Sequence, residues 1–177
     1  SEIMAVLCLA EDEADLRRFQ EKHAMFLKQK QELFTMRQLE PMTRDGKYVT
    51  LHANIELPLE ADNVLDFGAT GIGLYRSEFM FFRKGTPSCE EQAEAYGYIL
   101  RAMKPHPVTI RTLDAGGDKL VSDVSATGEA NPFMGWRSIR VCLDRKDLFK
   151  EQLKALILAA HEGNLRIMFP MISGIQE

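Results

Sequence analysis

The feature that most constrains the fold is an alternation of strand-like and helical segments that begins near residue 47. Strand patterns occur at 48–56, 72–75, 108–113 and 165–170, and helical patterns separate them at 59–67, from about residue 88, and at 146–161. Strands that alternate with helices are typical of a parallel sheet built from right-handed crossovers. The predicted fold class is therefore α/β. The spacing fits either half of a (β/α)8 barrel or an open doubly wound sheet.

Two of the predicted helices carry signals at their ends. Ser88 and Glu91 have the spacing of a capping box, in which each residue binds the backbone of the other. Asp144 is the predicted N-cap of the helix at 146–161, and Gly163 is its predicted stop. The predicted buried faces are Tyr96, Ile99, Leu100 and Met103 in the first helix, and Leu148, Phe149, Leu153, Leu156 and Ala160 in the second.

The chain before residue 47 is organised differently. Residues 3–9 are continuously apolar and predict a buried strand, and residues 11–39 are rich in good helix formers. A narrow apolar seam with polar interruptions follows this helix at Leu16, Phe19, His23, Phe26, Lys30 and Leu33. Such a helix fits either an ordinary surface helix or a connection between domains, and we favour the connection. Because both ends of the chain look cut, we expect it to be a piece of a longer protein.

Composition and charge exclude several classes of protein. The chain has 177 residues, of which 45% are hydrophobic, and its formal net charge is −4. No basic run suggests nucleic-acid binding, and no apolar run approaches the roughly 18 residues that cross a bilayer. A signal-peptide pattern is also absent. Three widely spaced cysteines fit neither a disulfide framework nor a zinc site, and the four histidines lack metal-ligand spacing. A reducing cytoplasm is the predicted location.

Three segments place an arginine at a strand end or beside a glycine turn. They are GIGLYRSEF at 71–79, VTIRTLDAGGDK at 108–119 and NPFMGWR at 131–137, and their arginines are Arg76, Arg111 and Arg137. A guanidinium group stays charged and presents a planar set of donors that matches a phosphate or a carboxylate. A single arginine is usually a solvated or salt-bridged side chain, but three in similar contexts favour a pocket for a small anion.

Two glycine-rich segments are candidates for ligand-binding loops. The segment at 68–73 has glycines at Gly68, Gly71 and Gly73, but it precedes a strand, whereas a dinucleotide loop follows one. The segment at 114–119 directly follows a strand and contains a glycine pair. Its spacing is not that of a nucleotide-binding P-loop. The glycine pair fits a close approach of the backbone to a ligand and a tight turn equally well.

These segments together resemble enzyme I of the phosphoenolpyruvate-dependent sugar phosphotransferase system. The resemblance covers nearly all of residues 48–177 in order and, more weakly, the helix before them. The motifs that carry it are ANI at 53–55, GIGLYRSEF at 71–79, EEQ at 90–92 with Tyr96, IRTLD at 110–114, GGDK at 116–119, NPFMGWR at 131–137 and RIMFPM at 166–171. This ordered set is far more specific than any single motif.

The resemblance implies a fold and a substrate, phosphoenolpyruvate (PEP). Residues 1–10 would end an upstream phosphohistidine domain, residues 11–46 would form a helical linker, and residues 47–177 would form the N-terminal half of a PEP-binding (β/α)8 TIM-type barrel. Family arginines that bind the phosphate group of PEP correspond to Arg76 and Arg111. The candidate PEP-binding set extends to Arg137, Asp114, Lys119 and Asn131.

Other parts of the family's machinery have no counterpart in this sequence. The phosphorylated histidine lies in a serine-histidine motif upstream, and the Mg²⁺-binding carboxylates and the cysteine proton donor lie beyond Glu177 in the family pattern. The expected set of catalytic residues and metal ligands within this chain is therefore empty. We expect the chain alone not to release pyruvate from PEP. The whole protein would use Mg²⁺, form homodimers and pass a phosphoryl group from its own histidine to a small carrier protein of the HPr type.

Three alternatives stay open at this stage. Pyruvate phosphate dikinase and phosphoenolpyruvate synthase share the barrel. The sequence LYRSEF at 74–79 and the helix that precedes the barrel nevertheless favour enzyme I. The nitrogen-related paralogue of enzyme I shares most of the motifs. A non-catalytic module that only binds a partner or dimerises is the alternative from a different functional class.

Overall fold

The computed structural model of the chain describes residues 13–84, 86–116 and 135–177. The chain divides into two compact units, one ending at Leu39 and the other beginning at Glu40. In the first unit, helix α1 spans Glu13–Met36, close to the predicted 11–39. The strand predicted at 3–9 lies outside the described residues. No helix in the described part of the chain is long and apolar enough to span a membrane.

The second unit is built on a four-stranded parallel sheet. Its strands are β1 (Ala53–Ile55), β2 (Ile72–Arg76), β3 (Pro107–Arg111) and β4 (Asn164–Met168), and they lie side by side in the order of the sequence. Each neighbouring pair is parallel. The parallel α/β class predicted from the alternation of segments is therefore confirmed. Because all four strands run in one direction, their carboxyl ends meet at a single edge of the sheet.

Helices connect the strands. After β1 come a short 3-10 turn at Pro58–Glu60 and α2 at Ala61–Val64; after β2 come α3 at Glu78–Lys84 and α4 at Cys89–Met103. Beyond β3, the described helices are α5 at Ile139–Asp144 and α6 at Lys146–Ala159, which ends in a 3-10 turn at Ala160–Glu162. Helix numbers refer to the described part of the chain. The sequence patterns did not predict α3 or α5.

Helix α4 begins and packs as its sequence predicts. The Ser88 hydroxyl accepts from the Glu91 amide at 3.2 Å, and the Glu91 carboxylate accepts from the Ser88 amide at 2.9 Å. All four residues of the predicted apolar stripe are fully buried. They join a core in which α4 and α6 cover one face of the sheet, formed largely by Ile72, Tyr75, Tyr96, Ile99, Leu100, Met103, Val108, Ile110, Ala155 and Leu156.

Three local predictions were wrong. Asp144 ends α5, and Arg145, which has no side-chain capping bond, precedes α6. Two helices thus meet where one cap was predicted. Ala160 is exposed because it lies in the 3-10 turn, which rotates it off the buried face of α6. The strand expected at 48–56 is confined to β1, since Tyr48 instead makes an isolated antiparallel bridge with Met42.

Candidate functional site

Two of the predicted site arginines end neighbouring strands. Arg76 is the last residue of β2 and Arg111 is the last residue of β3, and their Cα atoms are register partners in the parallel pairing. Parallel strands lie about 4.8 Å apart, so the two residues begin side by side at the carboxyl edge of the sheet. Ligand sites in parallel α/β folds lie at this edge.

Arg111 is held by two carboxylates. One terminal nitrogen donates to Glu78 Oε1, and the other lies 3.0 Å from Asp114 Oδ2. The side chains of Arg111, Glu78 and Asp114 are only 18%, 9% and 11% exposed. Such shielded charges interact more strongly than charges on the surface, because less water screens them. The guanidinium plane of Arg111 is therefore fixed before any ligand arrives.

Asp114 links Arg111 to Arg137. Arg137 donates to Asp114 Oδ1 from Nη2 at 2.8 Å and from Nε at 3.3 Å. A backbone bridge between Gly116 and Arg137 fixes this approach, and the Ser138 amide donates to the Ala115 carbonyl at 3.0 Å. Arg137 thus reaches the strand ends from a segment that follows β3 by more than twenty residues.

The backbone at Ser138 is strained. Its φ angle is +60° with ψ at −127°, a conformation that residues with a side chain rarely adopt. Conformations of this kind cost on the order of 1–3 kcal/mol and persist where the surroundings determine them. At Ser138 the determining contacts are its amide bond to Ala115 and the burial of the adjacent Ile139 in a small core with Leu113, Phe81 and Cys142. Ser138 directly follows Arg137, so the contacts that hold its strained backbone also help to hold Arg137 in place.

Arg76 has a more open environment. Its Nη1 atom lies 2.5 Å from Glu56 Oε1, directly after β1, and the two side chains are 41% and 45% exposed. Within the described residues, three guanidinium groups thus face three carboxylates, those of Glu56, Glu78 and Asp114. The local charges balance, and each guanidinium group retains donors beyond those that its carboxylate partners occupy.

A fully buried polar network lies beneath the arginines. It consists of Ser77, Gln92, Tyr96 and Gln152, each with no solvent exposure. The Gln152 amide donates to Ser77 Oγ at 3.0 Å and to the Tyr96 hydroxyl at 3.1 Å, and Tyr96 donates to Gln92 Oε1 at 3.1 Å. A buried polar group without a partner destabilises the fold. Because these four side chains satisfy one another, the network favours one arrangement of this part of the core.

Burial keeps the nearby weak acids protonated. It raises the pKa of Tyr96 to about 12 and the pKa of the Cys142 thiol to about 12, and it raises the pKa of Tyr75 further still. These groups are neutral at physiological pH. Cys142 therefore behaves as a buried apolar residue and not as a thiolate nucleophile. Cys89 is free and buried as well.

Some polar atoms near the strand ends are buried without a hydrogen-bond partner. In the described part of the chain these include Arg111 Nε, Glu78 Oε2 and Thr112 Oγ1. An unsatisfied buried polar group costs about 1–3 kcal/mol. Buried polar groups normally have a partner, so these atoms mark the strand ends as an unusual part of the core.

The described carboxylates do not form a metal site. Across residues 13–84, 86–116 and 135–177, no group of three or more histidine, cysteine or acidic side chains is placed to hold a metal ion. Glu56, Glu78 and Asp114 each pair with an arginine instead. The described residues at the strand ends therefore present cationic donors whose carboxylate partners are already paired.

A cavity of about 590 Å³ lies beside the carboxyl ends of β1 and β2. Its lining is mainly apolar and includes Tyr75, and its acidic residues are Glu56 and Glu91. No arginine is among the described residues that line it. A cavity with this lining does not suit a phosphate group.

The structure brings together four of the six residues predicted for the site, namely Arg76, Arg111, Asp114 and Arg137. Lys119 and Asn131 lie outside the described residues. Sequence reasoning missed Glu56, Glu78, Ser77 and Gln152. The burial of Gln152 could have been predicted, because it lies four residues from both Leu148 and Leu156 on the predicted buried face of its helix. Glu78 lies in the segment GIGLYRSEF at 71–79, but the sequence pattern does not indicate a role for it.

The sequence of the chain is similar to that of a known protein family. Residues 30–177 match the family described as PEP-utilising enzyme, PEP-binding domain. The chain is 49% identical over 160 residues to phosphoenolpyruvate-protein phosphotransferase of Staphylococcus carnosus (strain TM300). The aligned region covers 90% of this chain and 28% of that protein. Proteins of the same name from Staphylococcus aureus (strain MSSA476) and Latilactobacillus sakei are 45% and 43% identical, each over 93% of this chain and 29% of the relative.

The chain thus spans less than a third of the length of these relatives. Within that span the match includes the segments that carry Arg76, Arg111 and Arg137, all of which lie in residues 30–177. The resemblance recognised from the ordered motifs is confirmed. The chain belongs to the PEP-utilising enzymes, and residues 30–177 form part of their PEP-binding domain.

Proposed function

We propose that this chain supplies the phosphate-binding arginines of a phosphoenolpyruvate-protein phosphotransferase. The observation that carries the proposal is the register pairing of Arg76 with Arg111 at the carboxyl ends of adjacent strands. Because their Cα atoms lie side by side, both arginines are within side-chain reach of a single phosphate group at this edge. The names of the relatives and the match to the PEP-binding domain support PEP as the ligand.

The surrounding carboxylates prepare the arginines for this role. Glu78 and Asp114 hold Arg111, and Glu56 holds Arg76, so little side-chain freedom is lost when PEP binds. Arg137 pairs with the same carboxylate, that of Asp114, and adds a further positive charge to the cluster. Positioned cations of this kind stabilise the charge that develops on a phosphoryl group during its transfer, which is the main contribution of a protein to such reactions.

In the whole protein we propose the reaction suggested by the relatives' name. A histidine nitrogen attacks the phosphorus atom of PEP, the bond from phosphorus to the enol oxygen breaks, and the released enolpyruvate takes up a proton to become pyruvate. The phosphohistidine then donates its phosphoryl group to a carrier protein of the HPr type. Mg²⁺ would supply further positive charge to the phosphoryl group when bound. The described residues do not hold that ion, so we assign none of them to it.

The architecture and setting of the whole protein are part of the same proposal. We infer that β1 to β4 are the first half of a (β/α)8 barrel, since strand order follows sequence order as in a barrel wall. Residues 1–10 would end a phosphohistidine domain and residues 11–46 would link it to the barrel. The enzyme would be a cytoplasmic homodimer, and Lys119 and Asn131 would join the PEP site.

Replacing Arg76 by alanine tests the proposal. We expect PEP to bind the chain saturably in isothermal titration calorimetry, and the variant to bind about tenfold more weakly or worse, because a hydrogen bond to a charged group contributes about 1.5–3 kcal/mol. Arg76 is part-exposed, so the variant should remain folded. Circular dichroism of both proteins checks this.

Arg101→Ala is the matched control. Arg101 also pairs with a glutamate, Glu162, at 2.8 Å and is similarly exposed, but it lies on α4, away from the carboxyl edge of the sheet. Its loss should leave PEP affinity unchanged. Equal affinity of the wild-type chain and Arg76→Ala, or no saturable binding by a folded wild-type chain, would contradict the proposal.

A further inference from the structure

The buried polar network is attached to the strand ends immediately after the two arginines. Ser77 directly follows Arg76, and Leu113 lies two residues after Arg111. We propose that Gln152 and Ser77 are positioning residues that set the spacing of Arg76 and Arg111 for phosphate binding. This inference rests on the proposed function and adds two residues that touch neither PEP nor the phosphate group.

Gln152 contacts both strand ends from helix α6. Its Oε1 atom accepts from the Leu113 amide at 2.9 Å, and its Nε2 atom donates to Ser77 Oγ at 3.0 Å. Ser77 Oγ in turn donates to the Arg111 carbonyl at 2.6 Å. One amide and one hydroxyl therefore tie the end of β2 to the end of β3 at the level of the arginines.

This tie begins where the ladder of backbone hydrogen bonds ends. The pairing of β2 with β3 finishes at Arg76 and Arg111, and the next amide, that of Thr112, donates to Met168 on the other side of β3. Beyond the arginines, the side chains of Ser77 and Gln152 continue the connection between the two strands. A small change in this connection would alter the separation of the two guanidinium groups.

The hydrogen-bond pattern specifies one geometry. The two Nε2 hydrogens of Gln152 go to Ser77 and to Tyr96, and its oxygen accepts from Leu113, so a flipped amide would oppose like groups. Each hydroxyl accepts one bond from Gln152 and donates one onward, Ser77 to Arg111 and Tyr96 to Gln92. Because every group is buried, leaving any of them unpaired is costly, and the network resists distortion.

The two hydroxyls offer a matched pair of variants. Ser77→Ala and Tyr96→Phe each remove one buried hydroxyl that accepts from Gln152 Nε2 and donates one further bond. Only Ser77 contacts the end of β3, at the Arg111 carbonyl. A role confined to stability predicts similar effects for both variants, whereas a positioning role predicts different effects on PEP binding.

The test measures PEP affinity by calorimetry for the wild-type chain, Ser77→Ala, Gln152→Met and Tyr96→Phe, each confirmed as folded by circular dichroism. We expect Ser77→Ala and Gln152→Met to weaken PEP binding about tenfold, since small displacements of positioning groups have effects of this size. Tyr96→Phe should change the affinity by no more than about twofold. Gln152→Met should also speed hydrogen exchange of the Leu113 amide, which loses its acceptor.

The outcomes separate this inference from the proposed function. No binding of PEP by the wild-type chain would overturn both. Binding by the wild-type chain with equal losses in Ser77→Ala and Tyr96→Phe would overturn the positioning role alone, and so would an unchanged affinity in Ser77→Ala. If Gln152→Met does not fold, the comparison of the two hydroxyl variants still decides the question.

Discussion

Replacing Arg111 by alanine should lower the free energy of unfolding by about 3 kcal/mol or more, because it leaves two shielded carboxylates without their counter-charge. Glu78 is 9% exposed and Asp114 is 11% exposed, and both bind the Arg111 guanidinium group. Asp114 keeps Arg137 as a partner, whereas Glu78 keeps no other ion-pair partner among the described residues. The main cost should therefore come from Glu78. Urea denaturation followed by circular dichroism measures it.

Arg101→Ala provides the comparison for stability as it does for binding. The ion pair of Arg101 with Glu162 is 48% and 28% exposed, and exposed pairs contribute about 0–1 kcal/mol. A second variant, Arg111→Lys, retains the charge, but its single ammonium group lacks the fork that reaches two carboxylates. It should be intermediate in stability. Equal stability of Arg111→Ala and Arg101→Ala would contradict the account of Arg111 as a structural anchor of the site.

Gly163→Ala should destabilise the chain by about 2 kcal/mol, as expected for overpacking against atoms that do not yield. A Cβ atom on Gly163 would lie 2.7 Å from the Leu100 carbonyl oxygen and 3.2 Å from its carbonyl carbon. Leu100 is fully buried in the last turn of α4, so the surrounding core leaves its backbone little room to move. The reason is steric, since φ at Gly163 is −175° and its backbone is extended.

Gly46→Ala distinguishes this steric effect from backbone strain. A Cβ atom there would meet nothing within 4 Å, but φ is +82°. The left-handed conformation alone costs about 1–2 kcal/mol. Gly46 lies in a turn in which its amide donates to Thr43, so its substitution should leave the core intact. If thermal unfolding shows that Gly163→Ala is as stable as wild type, this result would contradict the close packing of α4 against the start of β4.

The parts of the fold that follow from local sequence were predictable. Parallel pairing follows from alternating elements, and the start of α4 follows from a capping box whose partners are three residues apart. Arg76 and Arg111 were predictable as candidates because each lies at or near the end of an apolar strand, and parallel strands bring such ends together. That Arg111 itself ends its strand was not predictable, since the sequence pattern extends the strand to residue 113. Asp144 failed as a cap because the local signal does not reveal that α5 already occupies that residue.

The supporting contacts of the site were not predictable, because they join distant parts of the chain. Ser77 and Gln152 are 75 residues apart, and Arg111 and Glu78 are 33 apart. No periodic pattern encodes which buried polar groups will meet across such distances. The burial of Gln152 could be inferred from its place in the helical stripe, but its partners could not. Arg137 was identified from its motif, and its link to Asp114 required the structure.

The central claim is that Arg76 and Arg111 bind one phosphate group together. Nuclear magnetic resonance of the arginine side-chain Nε–Hε groups, during titration of PEP into the chain, tests it most directly. The signals of Arg76 and Arg111, assigned with Arg76→Lys and Arg111→Lys, should shift along one binding curve with a single dissociation constant, while the signal of Arg101 stays still. Shifts at Arg101 alone, shifts of the two arginines with different dissociation constants, or no shift at either would contradict the claim.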